Sequence, residues 1–195
     1  MGGGIAVSLP PAGGSQLVGK LTGMLGRSSN RHDRGMQIDD RVRRARPEDI
    51  PAIVDLVYGL AEYERAPQEC RLTAEQLQTA LFGPTPAVFC HVAEHEGEVA
   101  GCALWFLSFS TWRGVHGIYL EDLFVRPETR GTGLGKALLT ALAQECVRNN
   151  YERLEWSVLN WNTPAIDFYK SLGAGPQDEW TVYRLTDDAL AQLGS

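Results

Sequence analysis

Apolar residues recur at helical spacing at Ile53, Val54, Leu56, Val57, Leu60 and Ala61, which predicts an amphipathic helix. Arg46-Pro47-Glu48-Asp49 starts it, with proline early and acids in the first turn. Thr73-Ala74-Glu75-Gln76 reads as the cap and first turn of a second helix carrying Leu77 and Leu81. A first strand fits Val42 to Ala45. After the helix pair the period changes: Ala87 to Ala93 is strand-like, Glu96-Gly97-Glu98 is a hairpin turn, and Val99 to Phe109 and Ile118 to Val125 continue a meander. Thr132 to Asn149 reads as an amphipathic helix, with Leu134, Ala137, Leu138, Ala141, Leu142 and Ala143 on or near one face. Arg153 to Leu159 predicts a strand, and Trp180 to Leu185 a last one. Between them Thr163 to Leu172 predicts a helix opened by Pro164 and closed by Gly173. This order predicts an α/β fold, a mixed, mostly antiparallel twisted sheet flanked by helices on both faces.

A chain of 195 residues, 44% hydrophobic and 22% charged, fits one globular domain. The first forty residues stand apart: rich in Gly, Ser and Arg, they predict a disordered extension, with the folded domain over 41–195. Met36 is an alternative natural start. The net charge of −6 argues against a nucleic-acid partner and suits a cationic small molecule. No uninterrupted apolar run is long enough for a membrane span. The apolar stretch within Met1–Ala12 lacks a basic lead and is broken by Pro10-Pro11, so it makes a poor secretory signal. Cys70, Cys90, Cys102 and Cys146 form no C-x-x-C pair, which fits reduced thiols and a cytoplasmic protein. His91-Val92-Ala93-Glu94-His95 matches the H-x-x-E-H zinc string, but that motif needs a helix and this one sits in a strand-like run without a third ligand; no metal is expected.

The segment richest in chemistry runs from Gly117 to Leu142. An apolar strand pattern is interrupted by Glu121 and Asp122, then passes through Arg130-Gly131-Thr132-Gly133-Leu134-Gly135-Lys136 into a helix. A glycine-rich turn at a helix N-terminus exposes N–H groups that suit phosphate or pyrophosphate, and Arg130 and Lys136 add positive charge. The spacing is neither a dinucleotide fingerprint nor a P-loop, and a flexible turn is the plainer alternative. The two acids either serve a cationic ligand or form structural ion pairs.

The turn resembles the acetyl-CoA motif of the GNAT acetyltransferases, R/Q-x-x-G-x-G/A, with Arg130, Gly133 and Gly135 in its slots. Leu60–Arg65 (LAEYER), Tyr119–Val125 (YLEDLFV), Arg130–Gly135 (RGTGLG) and Trp161–Ala174 (WNTPAIDFYKSLGA) are similar to the spermidine/spermine branch, and the resemblance spans Arg41 to Leu190. It implies a GNAT-like fold and transfer of an acetyl group from acetyl-CoA to a primary amine, of a polyamine or a lysine-like molecule. Another amine, such as an amino acid, a drug or a protein N-terminus, is the alternative, and a non-catalytic acyl-CoA-binding module a further one. A homodimer is implied as well.

The resemblance distributes roles by residue. Gly131, Thr132, Gly133, Leu134, Gly135 and Lys136, assisted by Arg130, would hold the pyrophosphate. The backbone of Leu123, Phe124 and Val125 would polarise the acetyl carbonyl beside the pantetheine arm. Glu121 would bind the amine and relay its proton, with Asp122 beside it. Tyr169 would protonate the leaving thiolate, its alternative being an aromatic packed on the sheet. Asn162 caps the last helix and could touch the cofactor. Tyr63 and Glu64 correspond to the family's polyamine contacts. Trp112 is either a cation–π wall of the amine pocket or a dimer residue. Arg65 departs from a pure polyamine pocket; it either recognises a substrate carboxylate or pairs with Glu64.

Overall fold

A computed structural model describes residues 39–195. The expectations for the N-terminal extension and for a start at Met36 therefore lie outside the described residues.

The sheet has five strands in the order β1 (Val42–Arg44), β2 (Phe89–His95), β3 (Glu98–Ser110), β4 (Val115–Val125) and β5 (Leu154–Trp156). The first four are antiparallel neighbours, and β5 joins β4 in parallel. Helices α1 (Ile50–Tyr63) and α2 (Ala74–Phe82) cover one face, where Ile53, Leu56, Leu77 and Leu81 pack with Val92, Cys102, Leu104 and Phe124. Helix α3 (Leu134–Asn149) covers the other, where Leu134, Leu138 and Leu142 pack with Ala103, Trp105, Ile118 and Leu120. Each such leucine or isoleucine withdrawn from water contributes ~1.5–3 kcal/mol, and the alternation along β3 (Cys102 and Leu104 one way, Ala103 and Trp105 the other) supplies both faces at once.

Local chemistry sets most boundaries. Thr73 and Gln76 form the reciprocal box expected of them: the Gln76 N–H donates to Thr73 Oγ1 (3.2 Å) and the Thr73 N–H to Gln76 Oε1 (2.9 Å). Helix α1 begins at Ile50 rather than at Arg46, because the Asp49 carboxylate is held by both terminal nitrogens of Arg43 (2.6 and 3.0 Å) and by the Arg46 N–H (2.7 Å), which closes a separate 3-10 turn over Pro47–Asp49. Helix α3 starts two residues later than expected, since Gly133 is left-handed (φ 87°). The H-x-x-E-H string lies on β2, where buried His91 accepts from Trp105 Nε1 (3.1 Å) and burial pushes its pKa down to about 3.

The C-terminal quarter departs from expectation. Only Leu154–Trp156 of the segment 153–159 pairs with β4, and helix α4 (Thr163–Ser171) follows. Trp180–Leu185 forms no strand; Val182 and Tyr183 stand 55% and 83% exposed, and a short helix α5 (Asp187–Leu193) follows instead. Their aromatic and β-branched residues suit a strand, but a strand needs a ladder to join, and Trp180–Val182 face β5 across an open groove of about 1070 Å³.

Candidate active site

Strand β4 organises the site through one irregularity. Leu104 pairs with Asp122 and Trp105 with Leu120, so Glu121 is the extra residue of a β-bulge. The bulge changes the parity of the strand. Leu120 faces α3, whereas Asp122, two residues on, turns with Phe124 toward α1. Strict strand alternation along β4 therefore breaks at Glu121.

The bulge coincides with the end of the parallel pairing, because β5 follows β4 only from Ile118 to Leu120. Past this fork the β4 edge from Glu121 to Val125 has no strand beside it. The Arg126 N–H donates to Ala100 on β3 (2.8 Å), so by alternation the N–H of Phe124 also faces β3, and those of Leu123 and Val125 face the open edge. Of the three backbone donors expected, two are free for an acyl carbonyl, while Phe124 contributes its ring. Tyr119 Oη and Ser157 Oγ close the crotch of the fork at 2.9 Å.

Beyond β4, the turn before α3 holds Gly131 (φ 84°) and Gly133 (φ 87°) in left-handed conformations that glycine adopts without strain. Among the described residues no atom lies within 4 Å of a Cβ built on Gly131, and only Arg41 Nη2, at 3.9 Å, near one on Gly133. The first helical bond is Ala137 N–H to Gly133 O, which leaves the N–H groups of Leu134, Gly135 and Lys136 without intrahelical acceptors. An open, donor-lined turn of this shape fits a pyrophosphate. Arg41, which the sequence reading did not assign, donates to Thr132 O (3.0 Å) and braces the turn while its charge pairs with Asp39 (2.7 Å). Gly133→Val should weaken acetyl-CoA binding ~100-fold and lower the melting temperature by a few degrees while the chain still folds, because a branched Cβ is strained at this φ and fills the approach; calorimetry on the folded variant giving unchanged affinity rejects the assignment.

The end of α1 completes the site. Gly59 permits the close approach, since a Cβ there would sit 3.0 Å from the Phe124 ring. Tyr63 then donates to Asn162 Oδ1 (3.0 Å), and that same oxygen accepts from the Ala165 N–H (3.4 Å), capping α4 as expected. The Arg130 guanidinium lies 4.8 Å over the Tyr63 ring and 5.6 Å over Phe124, with its Nε donating to Val125 O (3.3 Å). Arg130 thus lies between the glycine turn and the α1 end.

The electrostatics are those of an acid cluster. Partial burial, then Glu121, then Glu64 push the Asp122 carboxyl up to about 7. Burial also raises Glu121, against the pull of Arg184, and raises Glu64. No ion pair neutralises Asp122 among the described residues, so the structural-pair alternative for the two acids does not describe it. Tyr169, packed edge-on against Trp156 (5.0 Å), is raised by burial, then by Tyr63 and Glu64, so it remains a phenol at neutral pH. Its hydroxyl has no hydrogen-bond partner among the described residues.

The structure thus gathers Tyr63, Glu64, Glu121, Asp122, Leu123, Phe124, Val125, Asn162 and Tyr169 around one fork, with Arg130 and Gly131–Lys136 adjoining. Trp112 is not among them. It sits 52% exposed in the β3–β4 turn and lines a groove with Tyr119, Trp156, Tyr169 and Trp180, while Glu121 lies six residues along β4 from Val115, about 20 Å of strand. Three further residues escaped the sequence reading: Trp156 beside Tyr169, Trp161 beside Tyr63 (ring centroids 5.9 Å), and Arg184 near Glu121. Only Trp161 carried a signal, its place in the segment Trp161–Ala174.

Comparison with known proteins agrees. Residues 55–174 match the acetyltransferase (GNAT) family. The chain is 37% identical over 163 residues to a thialysine N-epsilon-acetyltransferase of Bos taurus, with 78% of this chain and 95% of that one covered. It is 30% identical over 204 residues to an L-ornithine N5-acetyltransferase of Arabidopsis thaliana, with 82% and 90% covered. Among solved structures, an integron cassette protein from the mobile metagenome of V. cholerae superposes with a TM-score of 0.67 at 27% identity, over 78% of this chain and 96% of that one. A glycine turn at the head of α3, a β4 strand bulged at its acids and released from β5, and matched length in these relatives make the chain a member of the GNAT acetyltransferase family.

Proposed function

We propose that the protein transfers an acetyl group from acetyl-CoA to a primary amine of a small cationic molecule, a lysine-like amino acid or a polyamine. The observation that carries this reading is the convergence of Glu64, Glu121 and Asp122 with the unengaged phenol of Tyr169 at the β4–β5 fork. The relatives named for thialysine and L-ornithine act on molecules with a side-chain amine, which suits that cluster.

The turn Gly131–Lys136 holds the pyrophosphate, and Leu123 and Val125 donate their N–H groups to the acetyl oxygen as it gains charge. The acids attract the ammonium form of the substrate and take up its proton; the freed nitrogen bonds to the acetyl carbon, and the carbon–sulfur bond breaks. Tyr169 donates its hydroxyl proton to the departing thiolate, whose conjugate acid is near 8.5, and the second proton shed by the nitrogen as it becomes an amide restores the phenol. None of these steps assigns work to a metal.

Two features support a homodimer: the outer edge of β5 has no strand beside it among the described residues, and Val182, Tyr183, Leu190 and Leu193 are exposed nearby in sequence. Trp112 lines the groove that Tyr169 and Trp180 also line, so it serves either as a wall of the amine pocket or as part of that surface. A cytoplasmic setting fits four free cysteines. The decisive experiment offers the full chain acetyl-CoA and a panel of diamines, basic amino acids and neutral amines, and reads thiol release and the acetylated product. Release that no cationic amine raises above the hydrolytic background overturns the reading.

A further inference from the structure

We infer that Arg65 reads a carboxylate on the substrate, and so favours a basic α-amino acid over the diamine of equal chain length. The inference rests on the acetyltransferase function proposed above and concerns the rim of the same site.

Arg65 follows the last turn of α1 and is itself left-handed (φ 63°), a conformation unusual for a residue with a side chain. Its N–H donates to Glu62 O (3.0 Å), which fixes the turn. The guanidinium lies 4.9 Å over the Trp161 ring. Trp161 in turn lies against Tyr63, and Tyr63 bonds to Asn162, the cap of the helix that bears Tyr169. The cation is thereby anchored to the two segments that frame the acid cluster. Trp161 remains 45% exposed, so Arg65 stands at the mouth of the site and not in its interior.

Its guanidinium, like those of Arg46, Arg71, Arg126 and Arg130, is left without an ion pair among the described residues. Arg41, Arg43, Arg44, Arg113, Arg148 and Arg153 each hold a carboxylate. Arg65 does not, and Glu64 beside it is no exception. The alternative of an Arg65–Glu64 pair is therefore not what the structure adopts. A guanidinium held over an indole ring keeps N–H donors that the ring does not engage, and two of them in parallel suit a carboxylate.

The charge pattern names the ligand. Glu64, Glu121 and Asp122 make the inner site suit an ammonium group. A cation at the mouth gives nothing to a diamine, whose second ammonium it repels. A molecule with an ammonium at one end and a carboxylate at the other satisfies both. Arg184, whose charge acts on Glu121, provides the comparison.

The test measures acetylation of two matched pairs, L-lysine against 1,5-diaminopentane and L-ornithine against 1,4-diaminobutane, by wild type, Arg65→Gln, Arg65→Lys and Arg184→Gln. Arg65→Gln should lower kcat/KM for the amino acids ~30-fold, chiefly through KM, and leave the diamines unchanged or improved, as expected for loss of a charged hydrogen-bond pair. Arg65→Lys should fall between, keeping the charge without the paired donors. Arg184→Gln should change both members of a pair alike. Melting curves confirm that each variant is folded. Equal loss for amino acid and diamine in Arg65→Gln, or a wild type that acetylates diamines alone, overturns this inference and leaves the function standing. A wild type that acetylates none of the four overturns both.

Discussion

Tyr169→Phe should lower kcat about 100-fold or more, within the usual range for a proton-transferring group, with acetyl-CoA affinity little changed. The substitution keeps the ring that packs edge-on against Trp156 and beside Phe168, so the α4 contacts survive. It removes a hydroxyl that has no partner among the described residues, so no buried acceptor is orphaned and the melting temperature should stay within about 2 °C of wild type, as for a change that breaks no network. Burial, Tyr63 and Glu64 raise the phenol above its ordinary value. It is therefore fully protonated across the working range, and the loss should be constant from pH 6 to 9. A kcat near wild type over that range would make Tyr169 a packing residue, with water as the proton source.

The structure explains which parts of this site were readable in advance. The cap at Thr73, the turn around Gly133 and the cap at Asn162 are local: each is decided by two or three neighbouring residues whose hydrogen bonds or φ angles the residue types dictate. Periodicity likewise located α1, α3 and the β2–β3–β4 meander. The bulge at Glu121 is different. It exists because of register against β3 across the hairpin, and a strand pattern read alone assumes strict alternation. Trp180–Leu185 fails for a related reason, because strand propensity reports a willing surface and not a partner. Arg130 shows a third limit. Its type suggested a phosphate ligand, but its position over Tyr63 depends on the approach of α1 to β4 that Gly59 allows. Which carboxylate carries the unusual acidity also became visible only once the three acids had been placed.

Asp122→Asn and Glu121→Gln should separate the roles of the two acids by their pH profiles. Asp122 has its carboxyl pushed up to about 7 by burial, Glu121 and Glu64, so near neutrality it is partly protonated and competent to accept a proton from the amine. The wild-type kcat/KM should climb as pH rises through about 7, with the pair titrating jointly because the two carboxylates are adjacent. In Asp122→Asn the inflection near 7 should disappear, leaving only the slope set by deprotonation of the amine itself, and kcat/KM should fall about 100-fold at pH 7, the loss easing in the alkaline range as more amine is already neutral. Glu121→Gln should mainly raise KM for the amine, since Glu121 is the more exposed of the two acids, while the inflection near 7 should move downward once its repulsion on Asp122 is gone. Stability supplies an independent check of sign. A carboxyl raised in the folded state binds its proton more tightly there than in the unfolded chain, so stability declines as pH climbs from about 4 to about 7, and the full cost is present above that. Asp122→Asn removes the cost: the variant should melt at least about 3 °C above wild type at pH 8, and the gap should close at pH 4, where Asp122 is protonated in both states. If Asp122→Asn instead melts below wild type at pH 8 and keeps its kcat/KM, Asp122 is a structural anion with a partner, and the proton must leave through Glu121.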